Sequence, residues 1–360
     1  MNPLDALTSQ LDDLSFVLRF DPSGMYDYTL GFPEQCLLAT RIGQGAALAL
    51  PTDPIDSVVV TGLGGSAAGG DMVRALFEDC ATLPCIVNRD YDLPAFVGPR
   101  TLVFACSYSG NTEETLSAYE DATDRGCHVI VVTSGGQLAQ KAREREQSLI
   151  LIPGGQPPRT ALGYMLVPMV MACERLSLLP EQPWSEIVQG LHAVAQDLRC
   201  EVPASENEAK RLAAQMYGKL PVLYGLGAWQ HVVAQRWKAQ INENAKNMAC
   251  ANAYPELCHN EILGWVRAND QGVQQWTCVL LSGGNESAKM KMRAQVVAKL
   301  IEPTCPTHEV RARGGSLLER ILTLSYMGDF VSIYLAALNG VDPENIDWID
   351  TLKQQLATVP

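Results

Sequence analysis

Ser57-Val58-Val59-Val60-Thr61-Gly62-Leu63-Gly64-Gly65-Ser66-Ala67-Ala68-Gly69-Gly70-Asp71 opens as a β-branched run and empties into glycines. The run predicts a strand, the glycines a turn, and residues 71–77 a helix. The same unit recurs at Leu102-Val103-Phe104-Ala105, which runs into Cys106-Ser107-Tyr108-Ser109-Gly110-Asn111-Thr112 and a helical stretch over 113–125. A third apolar strand, residues 128–133, leads into Ser134-Gly135-Gly136 and another helix. Apolar strands alternating with helices predict right-handed crossovers and a parallel sheet covered on both faces. The fold class is α/β.

The second half replays the first. Val222-Leu223-Tyr224-Gly225-Leu226-Gly227 answers Val59-Val60-Thr61-Gly62-Leu63-Gly64, and residues 276–281 with Ser282-Gly283-Gly284-Asn285-Glu286-Ser287 answer residues 102–105 with the loop 107–112. Residues 309–315 and the helix from Leu317 answer residues 150–155 and the helix from Ala161. Three matches in the same order imply a duplicated domain. The join is expected near Leu179-Pro180-Glu181-Gln182-Pro183, where two prolines interrupt a helical pattern, giving domains 1–180 and 181–360.

Composition narrows the function classes. With 360 residues, 47% hydrophobic and 19% charged, the chain suits two globular domains. A net charge of −13, spread along the chain, argues against a nucleic-acid partner and leaves any anionic substrate to local donors. The N-terminus carries Asp5, Asp12 and Asp13 and has no basic segment before an apolar core, so it does not read as a secretory signal. The longest apolar candidate for a membrane span, residues 162–173, is short and interrupted by Pro168. A soluble cytoplasmic protein without a membrane partner is expected. The 11 cysteines form no CxxC pair and no zinc-spaced cluster, and read as reduced core thiols.

A phosphate needs several donors converging on one concavity, and helix N-termini supply amides with a favourable dipole. Gly64, Gly65 and Ser66 stand where a strand hands over to a helix, and Ser107, Ser109 and Thr112 place three hydroxyls at the equivalent crossing. Each loop alone also fits plain chain reversal or helix capping. On successive strand-to-helix connections, where open α/β sheets bind ligands, the two together point to phosphate. In the second copy Trp229 stands near the Ser66 position and hydroxyls are fewer, so the first domain is the one equipped. Arg159, after Gln156-Pro157-Pro158, either adds a cation there or is a surface arginine.

GLGGSAAGGD from Gly62, SYSGNTEET from Ser107, GGQPPRTALGYML from Gly154 and NENAKNMACANAYPELCHNEILGW from Asn242 resemble, in order and spacing, the phosphoglucose/phosphomannose isomerase branch of the sugar isomerase (SIS) proteins. The resemblance covers nearly the whole chain. It implies two SIS domains, each a mainly parallel sheet flanked by helices in an αβα sandwich. It also implies an aldose–ketose isomerase that interconverts glucose 6-phosphate, and also mannose 6-phosphate, with fructose 6-phosphate. That chemistry needs a base to shuttle a proton between C1 and C2 through an enediol, and an acid/base to open the ring. The resemblance assigns the base to Glu243 and ring opening to His259, and matches a late lysine to Lys353 in Ile349-Asp350-Thr351-Leu352-Lys353. It places the phosphate on Gly65, Ser66, Ser107, Ser109, Thr112 and Arg159. It implies hexose 6-phosphates as partners, a homodimer whose partner contributes His259 in trans, and no metal or organic cofactor. Without it, Glu243 is one more helical glutamate and Lys353 a solvated terminal lysine, while His259 is the histidine in a polar stretch beside Glu256 and Glu261.

Two rival functions are separable on residues. An aminosugar-phosphate enzyme of the amidotransferase type requires an N-terminal glutaminase domain, for which residues 1–50 are too short. A non-catalytic SIS regulator would keep Ser66, Ser107, Ser109 and Thr112 but has no use for Glu243 and His259 together.

Overall fold

The computed structural model describes residues 3–51, 53–273, 275–356 and 358. Four helices come first: α1 (Pro3–Leu11), α2 (Leu14–Arg19), α3 (Met25–Leu30) and α4 (Phe32–Gly45). The first sheet region follows as β1 (Ser57–Thr61), α5 (Gly64–Cys80), β2 (Cys85–Asn88), β3 (Thr101–Cys106), α6 (Glu113–Asp124), β4 (His128–Thr133), α7 (Gly136–Glu144), β5 (Ser148–Leu151), a 3-10 turn (Pro158–Thr160) and α8 (Leu162–Arg175). Helices α9 (Trp184–Leu198) and α10 (Glu208–Met216) lead to β6 (Leu220–Gly225), α11 (Ala228–Ala245), β7 (Cys250–Ala253), a 3-10 turn (Glu256–His259), α12 (Glu261–Gly264) and a further 3-10 segment (Trp265–Gln271). The chain ends with β8 (Trp276–Ser282), α13 (Ala288–Ile301), β9 (Thr307–Arg311), α14 (Leu317–Asn339) and α15 (Asp347–Leu356).

The chain divides into two compact units, one of Gly31–His192 with Arg313–Leu322, the other of Met1–Leu30, Ala193–Ala312 and Thr323–Pro360. In the first, five parallel strands run in the order β2-β1-β3-β4-β5. Every residue of β1 and β3 is buried, which explains their unbroken apolar runs. Val59, Val103 and Val131 meet Ala118, Tyr119 and Ala122 of α6 and Leu138 and Ala142 of α7. Val60 points to the other face, where Gly70 lets α5 approach: a Cβ on Gly70 would lie 2.8 Å from Val60 Cγ1.

The second unit has four parallel strands in the order β7-β6-β8-β9. Val222, Tyr224, Cys278 and Leu280 form its core with Tyr254, Leu257 and, from α13, Ala294, Val297 and Ile301. Its N-terminal helices are tied in by Lys210, fully buried, whose ammonium donates to Asp12 Oδ1 (2.8 Å) and to the carbonyls of Cys200 (2.6 Å) and Val202 (2.8 Å). All three protons of the ammonium are used, as burial of the charge requires.

Two mainly parallel sheets flanked by helices are the architecture that the sequence implies, with several differences. The helix does not wait for Asp71: α5 begins at Gly64, so Gly64 and Gly65 lie in its first turn and Gly69 and Gly70 in its second. Strand β9 pairs with β8 and so holds the position that β4 holds beside β3, not that of residues 150–155. Strand β7 lies in a stretch of small and polar residues, CANA, without a β-branched signal. The longest apolar helix is α14, not residues 162–173; its length and hydropathy suit a membrane span, yet its most apolar 18-residue window is wholly buried in the fold. Cys80 and Cys250 are exposed, whereas Cys36, Cys106, Cys173 and Cys278 are core thiols.

Burial holds the imidazoles of His128 and His308 below their ordinary value of about 6.5. Between the lowered and the ordinary value the unfolded chain binds more protons than the folded one. Stability on this account is therefore present above about pH 6.5 and lost as pH falls toward the folded values. Urea midpoints should decline from pH 7 to pH 5, and replacing both histidines with glutamine should flatten that decline. An unchanged slope in the double variant would place its origin elsewhere.

Candidate active site

In the five-stranded sheet the strand order reverses between β1 and β3, and the chain leaves these two neighbours in opposite directions, opening a crevice at their C-terminal ends. Both segments that the sequence marks for phosphate lie there. Two glycine-lined approaches bring the loops together. A Cβ on Gly62 would lie 2.7 Å from the carbonyl oxygen of Cys106, and one on Gly65 would lie 2.9 Å from that of Pro158 and 3.2 Å from Arg159 Cα. Only glycine fits at either position. The first turn of α5, the 107–112 loop and the turn bearing Arg159 are therefore in contact.

The hydrogen bonds at this edge leave donors for a ligand. Ser66 Oγ accepts from the amide of Tyr108 (3.1 Å), and Ser107 Oγ accepts from the amide of Gly110 (3.0 Å) and pairs with Thr112 Oγ1 (2.8 Å). Ser109 Oγ accepts from the amide of Asn111 (3.2 Å). Helix α5 has Leu63 as its N-cap and no side-chain cap; α6 has Thr112 there, yet that hydroxyl turns to Ser107 and does not cap it. Two helix N-termini without side-chain caps face a crevice lined with hydroxyls, the requirement of an anion site. Arg159 is 5% exposed. Its turn is clamped by Gln35, which donates to the carbonyl of Thr160 (2.9 Å) and accepts from the amide of Gly163 (2.7 Å). Tyr108 knits the edge: its carbonyl accepts from Ser134 Oγ (2.6 Å), and its hydroxyl accepts from the amide of Gln156 (3.2 Å). Sequence reasoning missed Gln35 and Tyr108, because their partners lie on other elements.

The second sheet has the same reversal between β6 and β8, and strand register aligns the two edges residue by residue. Gly62 matches Gly225, Ser66 matches Trp229, Tyr108 matches Gly283 and Asn111 matches Glu286, with Thr112 and Ser287 both at N-caps. Here the donors are taken. Glu286 Oε1 accepts from the amides of Gly283 and Gly284 and from Gln230 Nε2, the last two at 3.2 and 3.1 Å. Ser287 Oγ caps α13 by accepting from the amide of Met290 (3.2 Å). The indole of Trp229 lies against Gly283, its Cζ2 2.5 Å from where a Cβ would stand. A carboxylate and a ring fill this crevice, which explains why hydroxyls are scarce in this copy. Its one signal in the sequence is the carboxylate of Glu286 where the first copy has the amide of Asn111.

Glu243 is half-buried in the last turn of α11, two residues from its end. A polar seam at spacing i, i+4, i+8 fixes the rotation of this helix: Arg236 forks onto Asp329 (2.9 and 2.8 Å), Gln240 donates to Asp329 (2.9 Å) and Asn244 to Ser332 Oγ (2.9 Å). Burial pushes the Asp329 carboxyl up, against the pull of Arg236 and Gln240. Lys246, left-handed at the helix end, donates to the carbonyls of Glu243 (2.7 Å) and Asp342 (2.7 Å). His259 ends the 3-10 turn that follows β7 and is exposed. Lys353 lies on α15, a helix without a buried residue, and pairs with Asp350 at 3.7 Å in solvent. Glu243, His259 and Lys353 thus belong to the unit of the four-stranded sheet, the loops expected to hold phosphate to the other. Among the described residues no group of three or more histidine, cysteine or carboxylate side chains is placed to hold a metal.

Comparison with known proteins adds to this geometry. Residues 205–356 match the family model described as the bacterial phospho-glucose isomerase C-terminal SIS domain, and residues 54–171 match the SIS domain. The chain is 40% identical over 340 residues to a bifunctional phosphoglucose/phosphomannose isomerase of Caldicellulosiruptor bescii, covering 93% of this chain and 99% of that protein. It is 34% identical over 306 residues to the protein of the same name from Aquifex aeolicus, covering 84% and 91%. Among solved structures, a hypothetical protein of Thermus thermophilus superposes with a TM-score of 0.72 at 16% identity, covering 99% of this chain and 94% of that one, a likeness of fold.

The two crevices predict a binding stoichiometry. Calorimetry should find one inorganic phosphate per chain, with affinity lowered about tenfold or more by Ser107→Ala or Thr112→Ala, since each removes a hydrogen bond to a charge. Two phosphates per chain, or parental affinity when Ser107 and Thr112 are both replaced by alanine, would move the site away from these loops.

Proposed function

We propose a mechanism from one premise: the chain belongs to the family of bifunctional phosphoglucose/phosphomannose isomerases. It is an intramolecular oxidoreductase that interconverts glucose 6-phosphate, and mannose 6-phosphate, with fructose 6-phosphate. The phosphate is held by Gly65, Ser66, Ser107, Ser109, Thr112 and Arg159. The observation that carries this is the pair of helix N-termini without side-chain caps, opening at a strand-order reversal lined with hydroxyls.

His259 opens the sugar, passing a proton to the ring oxygen as the anomeric hydroxyl loses its own and the bond from C1 to the ring oxygen breaks. Glu243 then takes the proton from C2. The electron pair left behind forms the C1=C2 bond of an enediol as O1 gains a proton. Return of the carboxyl proton to C1, with loss of the O2 proton, gives the ketose. An enediol has no configuration at C2, so glucose and mannose 6-phosphates converge on the same intermediate. Lys353 offsets negative charge on its oxygens. The route calls on no metal or organic cofactor.

We further propose a cytoplasmic homodimer in which His259 acts in trans. The exposure of His259 in the single chain, with Leu263 at 72% and Val266 at 79% beside it, supports this reading. The net charge of −13 fits a protein without a nucleic-acid partner.

Glu243→Gln removes the base and keeps its size. Turnover with both aldose phosphates should fall by about 10²–10⁴-fold, exchange of the C2 hydrogen with deuterated water should cease, and phosphate binding should persist. Near-parental turnover with both sugars would take Glu243 out of the role.

A further inference from the structure

We propose that Glu261 is a positioning residue for His259, held in that task by Tyr224 and Asn252. The proposal rests on the reading of His259 as the ring-opening group. His259 is exposed, and the segment that carries it lies between two attachments to the sheet. The first is packing: Leu257 is fully buried among Tyr224, Tyr254 and Leu280. The second is polar. Tyr224, near the C-terminal end of β6 and 0% exposed, donates its hydroxyl proton to Glu261 Oε1 (2.5 Å) and accepts from Trp265 Nε1 (2.9 Å). Asn252 of β7 donates its side-chain amide to Glu261 Oε2, and its own Oδ1 is fixed by the amide of Ala253 (2.8 Å). Asn260, between His259 and Glu261, accepts from the amide of Glu261 (2.5 Å) and donates to Glu256 Oε1 (3.0 Å).

The roles of these groups follow from the chemistry. Burial, and then the neighbouring charge of Glu261, push the Tyr224 phenol well above its ordinary value, so its proton stays and its hydroxyl remains the donor. Both carboxylate oxygens of Glu261 are engaged by donors from two different strands. Accepting a proton from a sugar would break one of these bonds in a partly buried place. Glu261 is therefore suited to holding the segment at a set distance from the sheet two residues after His259, and not to acting as the base. Displacing a reacting group by even a small distance lowers the rate without changing how the phosphate is bound.

The test separates ring opening from proton shuttling by following interconversion of the α and β anomers of glucose 6-phosphate by NMR, which needs ring opening alone. In the Glu243→Gln background anomer interconversion should persist. Adding Tyr224→Phe or Glu261→Gln should lower it about tenfold while calorimetric phosphate affinity stays within about twofold and the thermal midpoint shows a folded protein. Unchanged anomer interconversion in both variants would overturn the positioning role. Equal loss of phosphate binding would overturn it too, by making the contact a general structural one. In the Glu243-containing protein, loss of C2 exchange with anomer interconversion intact in Glu261→Gln would make Glu261 the base. The reading of His259 has its own control: if His259→Ala retains full anomer interconversion, that reading fails whatever Glu261 does.

Discussion

The proposed phosphate site depends on one constraint: a helix cannot satisfy its first four backbone N–H groups by itself. Where strand order reverses between β1 and β3, α5 and α6 start side by side, and neither brings a side chain to cap its own first turn. Ser66 accepts from the amide of Tyr108 and so ties the first turn of α5 to the next loop, and Ser107 pairs with Thr112 within that loop, which fixes their oxygens while leaving backbone donors at the edge. Glycines at 62 and 65 then let backbone approach backbone. The cradle is a product of what the helices lack and of how closely the loops can come.

The duplicated copy is an internal control on this argument. With the same strand order it faces the same unsatisfied amides, and meets them from within: Glu286 supplies the anion, Ser287 the cap and Trp229 the bulk. A buried donor must find a partner, and if no ligand serves, a side chain does. In the same unit α11 and the segment after β7 carry Glu243 and His259, the residues proposed for proton shuttling and ring opening.

Much of this was legible in the sequence because it is local. A β-branched run followed by glycine fixes β1, although the helix expected from Asp71 begins two turns earlier at Gly64, and the apolar stretches at 102–105, 128–133 and 276–281 read as strands without help. Illegible features are those whose cause is a partner far along the chain. The residues of β7 become a strand by pairing with β6, not by propensity. Tyr224 looks like one more aromatic of a core strand until Glu261 and Trp265 converge on its hydroxyl. Glu243 carries no local mark of chemistry at all; its assignment came from resemblance, and its setting, a helix locked by Arg236, Gln240 and Asn244, is visible only in three dimensions.

That locked helix sets a rule for how the protein can diverge. Each residue advances a helix by about 100°, so one residue gained or lost between Gln240 and Glu243 would turn the carboxylate to another face while Asp329 still gripped the upstream arginine. A deletion or insertion in this stretch therefore costs the register of the carboxylate, whereas a replacement at an outward position does not. The place of the Glu243 carboxylate is thus a matter of residue count along α11 as much as of residue type.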